Sequence, residues 1–328
     1  MSFLVIGECV ADIVRDPGAA DVVHPGGSPA NVAYGLARLG RDTTLLTQLA
    51  DDPSGRLIAG HLTGAGVRLA VGGVPARTPS AVVSLDARGH ASYAFDIAWT
   101  LTAGEPPATP EPVRHVHLGS LAAVTEPGAA TVLALTGRLR PTATVSYDPN
   151  VRPALMGGHA TAVERVERCV ALADLVKASD EDLAWLYPGE APEAVAARWL
   201  GLGPAVVLVT RGGSGSLAVT RDHTVAAGAP AATVVDTVGA GDSFMSAVLD
   251  ALAGRDRAGL AALGPDDLAR VLARAAAAAA VTVSRSGARP PDREELDAAL
   301  GGAGRPPRPP PPGGGGGWGG GRAGGVEL

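Results

Sequence analysis

Six short apolar runs, Phe3 to Ile6, Thr43 to Leu49, Arg114 to Leu118, Thr142 to Tyr147, Asp174 to Lys177 and Ala205 to Thr210, recur along the chain at long intervals, and this rhythm limits the fold more than any other feature. Between them, residues 29–39, 54–65, 128–139 and 159–172 carry apolar side chains at helical spacing. Strand and helix in alternation require parallel strands joined by crossovers, so the expected fold is a three-layer α/β/α sandwich around a mostly parallel sheet. Two stretches break the rhythm, Cys9 to Val23 and Ser80 to Thr100. The second reads as strand, turn at Asp86 to Gly89, and strand, with Tyr93, Phe95 and Ile97 on one face. A hairpin has no place in a βαβ unit, so a small β excursion from the main sheet is expected.

The 328 residues suffice for one large domain, expected over 1–304 with the excursion in segments about 9–24 and 76–100. Residues 305–328 are nearly all Gly, Pro and Arg; they hold too little apolar surface to offset chain entropy and are expected to be disordered.

Chemistry concentrates in Asp236-Thr237-Val238-Gly239-Ala240-Gly241-Asp242. Thr233 to Val235 reads as a strand and Asp242 to Ala253 as a helix, which puts the glycines where a loop enters a helix. There the first amides lack internal partners, the helix dipole adds positive charge, and glycine lets a phosphate approach the backbone. A carboxylate beside an anion site repels the anion, so Asp242 needs another task. In phosphoryl transfer an aspartate orients the acceptor hydroxyl and takes its proton, while backbone amides stabilise charge on the transferred group. The plainer alternative for Asp242 is a helix cap after a glycine-rich turn.

Lys177 is the only lysine, so neither a P-loop nor the lysine-dependent nucleotide site of protein kinases can be present. It ends an apolar run and is expected at a strand's C-terminal edge, where ligands of open α/β sheets gather. The net charge of −6 carries no footprint for nucleic acid. Two cysteines are too few for a disulfide framework or a cysteine metal cluster, and no apolar run is long enough to span a membrane, so a cytoplasmic location is expected. Gly213 to Ala218 fits the short dinucleotide pattern G-x-G-x-x-A, but the following SLAVTRDHTVAA reads as a hairpin around Arg221-Asp222 where that pattern needs a helix.

A second motif, Gly26-Gly27-Ser28-Pro29-Ala30-Asn31-Val32-Ala33, precedes the helix-like run to Gly40. Together with DTVGAGD it resembles the signature pair of the PfkB, or ribokinase-like, carbohydrate kinases. GECVAD, ADDPSGR, HLGSLA, SYDPNVRP, VKASDED and VTRGGSGS follow in that family's order, over about residues 3–300. The resemblance implies that ATP phosphorylates a small sugar hydroxyl, with Asp242 as base and Gly239, Ala240 and Gly241 as anion hole. It implies Asp12, Gly26, Gly27 and Asn31 at the sugar, which suits paired hydrogen bonds to vicinal hydroxyls. Lys177, Ser179, Thr210, Gly212 and Gly215 would meet the nucleotide, with Arg211 as a further phosphate candidate, and Ala275 to Thr282 would line the adenine pocket.

The family's Asn-x-x-Glu element stands here as Ser179-Asp180-Glu181-Asp182. The shorter Asp182 would reach Mg²⁺ through water or yield that task to Glu181. Carbonyls near Asp236, Val238 and Gly287 would hold a monovalent cation such as K⁺. The hairpin would be a lid over the sugar, and a homodimer through the lid is a further expectation. GECVAD, SYDPNVRP and VKASDED look closer to the fructokinase and ketodeoxygluconate-kinase branch than to ribokinases or adenosine kinases, and a fructokinase-like activity is the first expectation. A 2-dehydro-3-deoxygluconate kinase would need an arginine near the lid, from Arg77, Arg88 or Arg152; ribokinase, or a sugar-binding regulator without turnover, are the other readings.

Overall fold

The structure, a computed structural model, describes residues 1–15, 20–73, 75–85 and 91–302. The expected turn at Asp86 to Gly89, Arg88 and the 305–328 segment lie outside the described residues. In chain order the elements are β1 (Ser2–Ile6), β2 (Val10–Arg15), β3 (Val22–Gly26), α1 (Ser28–Arg38), β4 (Asp42–Thr47), α2 (Pro53–Gly64), β5 (Arg68–Val71), β6 (Ser80–Leu85), β7 (Ala91–Asp96) and β8 (Val113–Gly119). There follow α3 (Gly128–Leu139), β9 (Thr144–Asp148), α4 (His159–Leu172), β10 (Leu175–Ser179), α5 (Asp180–Leu186), α6 (Pro192–Leu200), β11 (Val206–Thr210), β12 (Ser216–Val219) and β13 (Thr224–Ala227). The last helices are α7 (Ala240–Ala251), α8 (Arg257–Ala261), α9 (Pro265–Val283) and α10 (Arg293–Gly302).

The main sheet has nine strands in the order β13-β12-β11-β10-β9-β8-β1-β4-β5. From β11 to β5 all neighbours are parallel; β12 and β13 add an antiparallel edge, the hairpin expected around Arg221-Asp222. Every residue of β1 is buried, because both faces are covered. Leu4 and Ile6 pack with Val132 of α3, Val166 of α4 and Trp199 of α6 on one side. Phe3 and Val5 pack with Leu36 of α1, Ile58 of α2, Met245 of α7 and Leu272 of α9 on the other. Each such side chain contributes about 1.5–3 kcal/mol on burial, more than the propensity of any single residue.

The second sheet runs β3-β2-β6-β7, with β2 and β6 parallel and the outer pairs antiparallel. It joins both stretches that broke the sequence rhythm. One expectation is corrected: Thr233 to Val235 form no strand, and Val234 and Val235 are 64% and 60% exposed. The amides of Val235 and Asp236 donate to the Val283 carbonyl at the end of α9. Strand preference is worth about 1 kcal/mol at most and has no effect without a neighbouring strand to pair with.

Candidate active site

The strand order reverses at β1, since the chain moves to β4 on one side and returns to β8 on the other; a crevice opens outside the carboxyl ends of such strands. Glu8, just past β1, bridges it. Its Oε2 accepts the Ala122 amide at 3.0 Å, and burial pushes its carboxyl upward while hydrogen bonds from backbone amides and Ser120 oppose this. Asp148 and Ser179 end β9 and β10 at the same edge, and Thr210 ends β11. The cleft above them has a volume of about 930 Å³, room for a sugar and a nucleotide together.

The two signature motifs meet in this cleft although more than two hundred residues separate them. Ser28 Oγ donates to Asp242 Oδ1 at 2.6 Å, and Asn31 Nδ2 donates to Asp242 Oδ2 at 2.8 Å. Both donors stand on the first turn of α1, and Asp242 stands on the first turn of α7, so two helix N-termini converge on one carboxylate. The cap of α7 is Gly239, at φ 76°, and a Cβ there would come within 2.5 Å of the Ala288 side chain. Asp242 is therefore no helix cap, and the alternative reading of it falls.

Asp12, on β2, faces the cleft from the small sheet, together with Val10, Ala81 and Phe95, and Ile97 just past β7 lines it too. A side chain at Gly26 would strike its carboxylate, at 2.0 Å from Oδ2, and Gly27, at φ 100°, caps α1 directly against the Glu8 carbonyl. Burial pushes the Asp12 carboxyl up to about 6; Arg152 opposes the shift and Asp242 adds to it. Arg152 lines this end, and its Nη1 donates to Asn150 and to the Val151 carbonyl. Arg77 is exposed and does not line the cleft.

Lys177 is 4% exposed and its Nζ lies 2.7 Å from Asp148 Oδ2, itself fully buried. The ammonium stands 3.0 Å from where a Gly241 side chain would begin, directly under the first turn of α7. Burial depresses the lysine's affinity for its proton, but Asp148, Asp182 and Asp242 together leave it raised. Asp148 is pushed up to about 6 by burial, with Lys177 pulling the other way. The pair was half legible: the lysine drew attention as the only one, whereas Asp148 passed as part of a landmark. Ser28 and Glu8 were missed likewise, because short polar residues inside a motif carry no pattern of their own.

Ser179 forms a reciprocal capping box with Asp182: Asp182 Oδ2 accepts the Ser179 amide at 2.8 Å and Ser179 Oγ accepts the Asp182 amide at 3.0 Å. Asp182 Oδ1 takes the Val151 amide at 2.7 Å. A carboxylate so engaged keeps only outer lone pairs for a water-bridged ion, while Asp180 and Glu181 also line the cleft. Asp236 ties its own loop to the turn at 287, accepting from the amides of Val238 at 3.0 Å and Gly287 at 2.8 Å. Among the described residues no cluster of three or more His, Cys, Asp or Glu side chains could hold a metal ion, and no helix is long and apolar enough to cross a membrane.

Thr210, Gly212 and Gly215 line the far half of the cleft; Arg211 between them does not. Beyond them the walls are apolar, with Pro230, Ala232 and Val234 on one side and Ala276, Ala279 and Val283 of α9 on the other.

A family model described as pfkB family carbohydrate kinase matches residues 2–295. A fructokinase of Klebsiella pneumoniae is 33% identical over 90% of this chain and 98% of its own length. A fructokinase of Rhizobium leguminosarum bv. trifolii is 32% identical over 76% and 79%. Among solved structures, fructokinase with bound ATP from Xylella fastidiosa superposes with a TM-score of 0.79 at 26% identity, covering 92% of this chain and 98% of that one. A Vibrio cholerae fructokinase double mutant in fructose, ADP and potassium ion bound form gives 0.77 at 26% identity, covering 91% and 98%.

Proposed function

The chain belongs to the pfkB family of carbohydrate kinases, and on that premise we propose that it is fructokinase-like, converting ATP and D-fructose to ADP and D-fructose 6-phosphate. The observation that carries this reading is the meeting of Asp242 with Ser28 and Asn31 in a cleft that also holds Asp12. Asp12 and Asn31 bind vicinal hydroxyls of the sugar: a carboxylate accepts, and the amide keeps a second N–H and its carbonyl after serving Asp242. The primary hydroxyl then lies at Asp242, which takes its proton as the oxygen attacks the γ-phosphorus and the bond to the β-phosphate oxygen breaks. Amides at the start of α7 and the Lys177 ammonium stabilise charge on the group in transfer. Phe95 on the small sheet and Ile97 just past it keep water, a competing acceptor, from the sugar side.

ATP would lie along Ser179, Thr210, Gly212 and Gly215 with its base between the apolar walls. Mg²⁺, arriving with the phosphates, would neutralise their charge, held through water by Asp182 with Asp180 or Glu181 nearby. The tie between Asp236 and Gly287 supports a monovalent cation on adjacent carbonyls.

Arg152 at the sugar end favours a second reading, a 2-dehydro-3-deoxygluconate kinase, because a guanidinium suits an acid substrate. A panel of sugars and sugar acids with ATP, followed by ADP release and product phosphate position, tests both. Fructose as the best acceptor is expected; a strong preference for the keto-acid selects the second reading. Sugar binding without ADP release on every acceptor overturns the kinase assignment in favour of a regulator.

A further inference from the structure

Ser28 opens α1 one residue past its cap, Gly27, and so lies beyond the position where a serine caps a helix. Its hydroxyl crosses to α7 and donates to Asp242. The contact is short, 2.6 Å, in the range of a hydroxyl bonded to a charged oxygen, and Ser28 is 6% exposed.

We infer that Ser28 is a positioning residue for the proposed base, holding Oδ1 of the Asp242 carboxylate so that Oδ2, which accepts from Asn31, turns its remaining lone pair to the acceptor hydroxyl. This rests on the assignment of Asp242 given above. The two donors on α1 sit three residues apart on one face, so together they fix the plane of the carboxylate. Their tasks differ. Asn31 keeps a donor and an acceptor for the sugar, whereas Ser28 has one proton and spends it on Oδ1. The other charged groups that face Asp242 are Asp12 from β2, Asp148 from β9 and Lys177 from β10. The side-chain hydrogen bonds to the Asp242 carboxylate come from Ser28 and Asn31, so its orientation falls to α1. A base that rotates freely loses the alignment on which proton transfer and attack depend, while binding of either substrate is untouched.

The test is Ser28→Ala, alone and combined with Asp242→Asn, with steady-state kinetics and a melting curve for each protein. The single variant should lose about tenfold in kcat with both KM values within about twofold. On the Asp242→Asn background the same change should produce no further loss, because the two residues act as a unit. An unchanged kcat in Ser28→Ala overturns the inference, as does a loss that persists undiminished on the Asp242→Asn background. If Asp242→Asn itself retains full turnover, the base assignment falls first. An inactive Asp242→Asn beside a fully active Ser28→Ala sinks the role of Ser28 alone.

Discussion

The two ends of the cleft are built on opposite plans. At the proposed sugar end, polar and charged side chains from β2, α1 and α7 meet over long sequence separations: Asp12, Ser28, Asn31 and Asp242, with the pair of Asp148 and Lys177 buried beneath the first turn of α7. At the proposed nucleotide end the far walls are alanine, valine and proline, with polar groups at the strand ends Ser179 and Thr210 and in the first turn of α5, Asp180 to Asp182. The contrast follows from the task. Hydroxyls can be told apart only by placed donors and acceptors, whereas a base needs a flat apolar slot and its phosphates need amides. Substitutions at the two ends should therefore separate cleanly in kinetics.

The largest effect is expected for Asp242→Asn, which keeps shape and removes the proton acceptor: kcat should fall by about a hundredfold or more with sugar affinity nearly unchanged, measured by turnover and calorimetry. Next comes the buried pair. Lys177→Met should lower kcat by about tenfold or more and raise the ATP KM, leaving the sugar KM near its original value, because the ammonium sits under the first turn of α7, where the proposed anion hole lies. A sugar-specific defect in that variant would blur the boundary between the two ends.

Asp12→Asn should raise the sugar KM by about tenfold without changing the ATP KM. Because burial holds the Asp12 carboxyl near 6, the sugar KM of the parent should climb as pH falls through about 6, and Asp12→Asn should flatten that limb. Stability runs the other way. A carboxyl raised in the folded state binds more protons there than when unfolded, so its ionisation costs stability as pH rises from its ordinary value through about 6. Asp12→Asn should consequently melt no lower than the parent above pH 6, and a clear drop would contradict the burial argument. The smallest effect is expected at the far end: GTP in place of ATP should change kcat/KM by less than about tenfold, since no side chain of the apolar walls reads the base. A hundredfold preference for ATP would mean that backbone groups there discriminate.

Local pattern and spatial arrangement contributed unequally. The runs at Phe3 to Ile6 and Asp174 to Lys177 were legible as strands because both faces of a parallel sheet are covered, which leaves continuous apolar stretches. Thr233 to Val235 is also rich in β-branched residues, yet it forms no strand, because among the described residues no strand lies alongside to pair with it. In the site, Asp242 and Asn31 stood out through their motifs. Asp148 did not, since a single aspartate at a strand end differs in no local way from a solvated one until a buried lysine is seen 2.7 Å away.

The alternation of strand and helix and the two motifs followed from the sequence alone, because periodicity and glycine spacing are local properties that neighbouring residues enforce, and the family followed from what those motifs resemble. Which oxygen of Asp242 meets Ser28, that Lys177 is sheathed by Asp148 and exposed to almost no water, and that Asp182 spends its carboxylate on backbone amides were decided only when the sheet brought distant segments together. Hydrogen bonds and ion pairs act over about 3 Å, a distance that sequence separation does not encode.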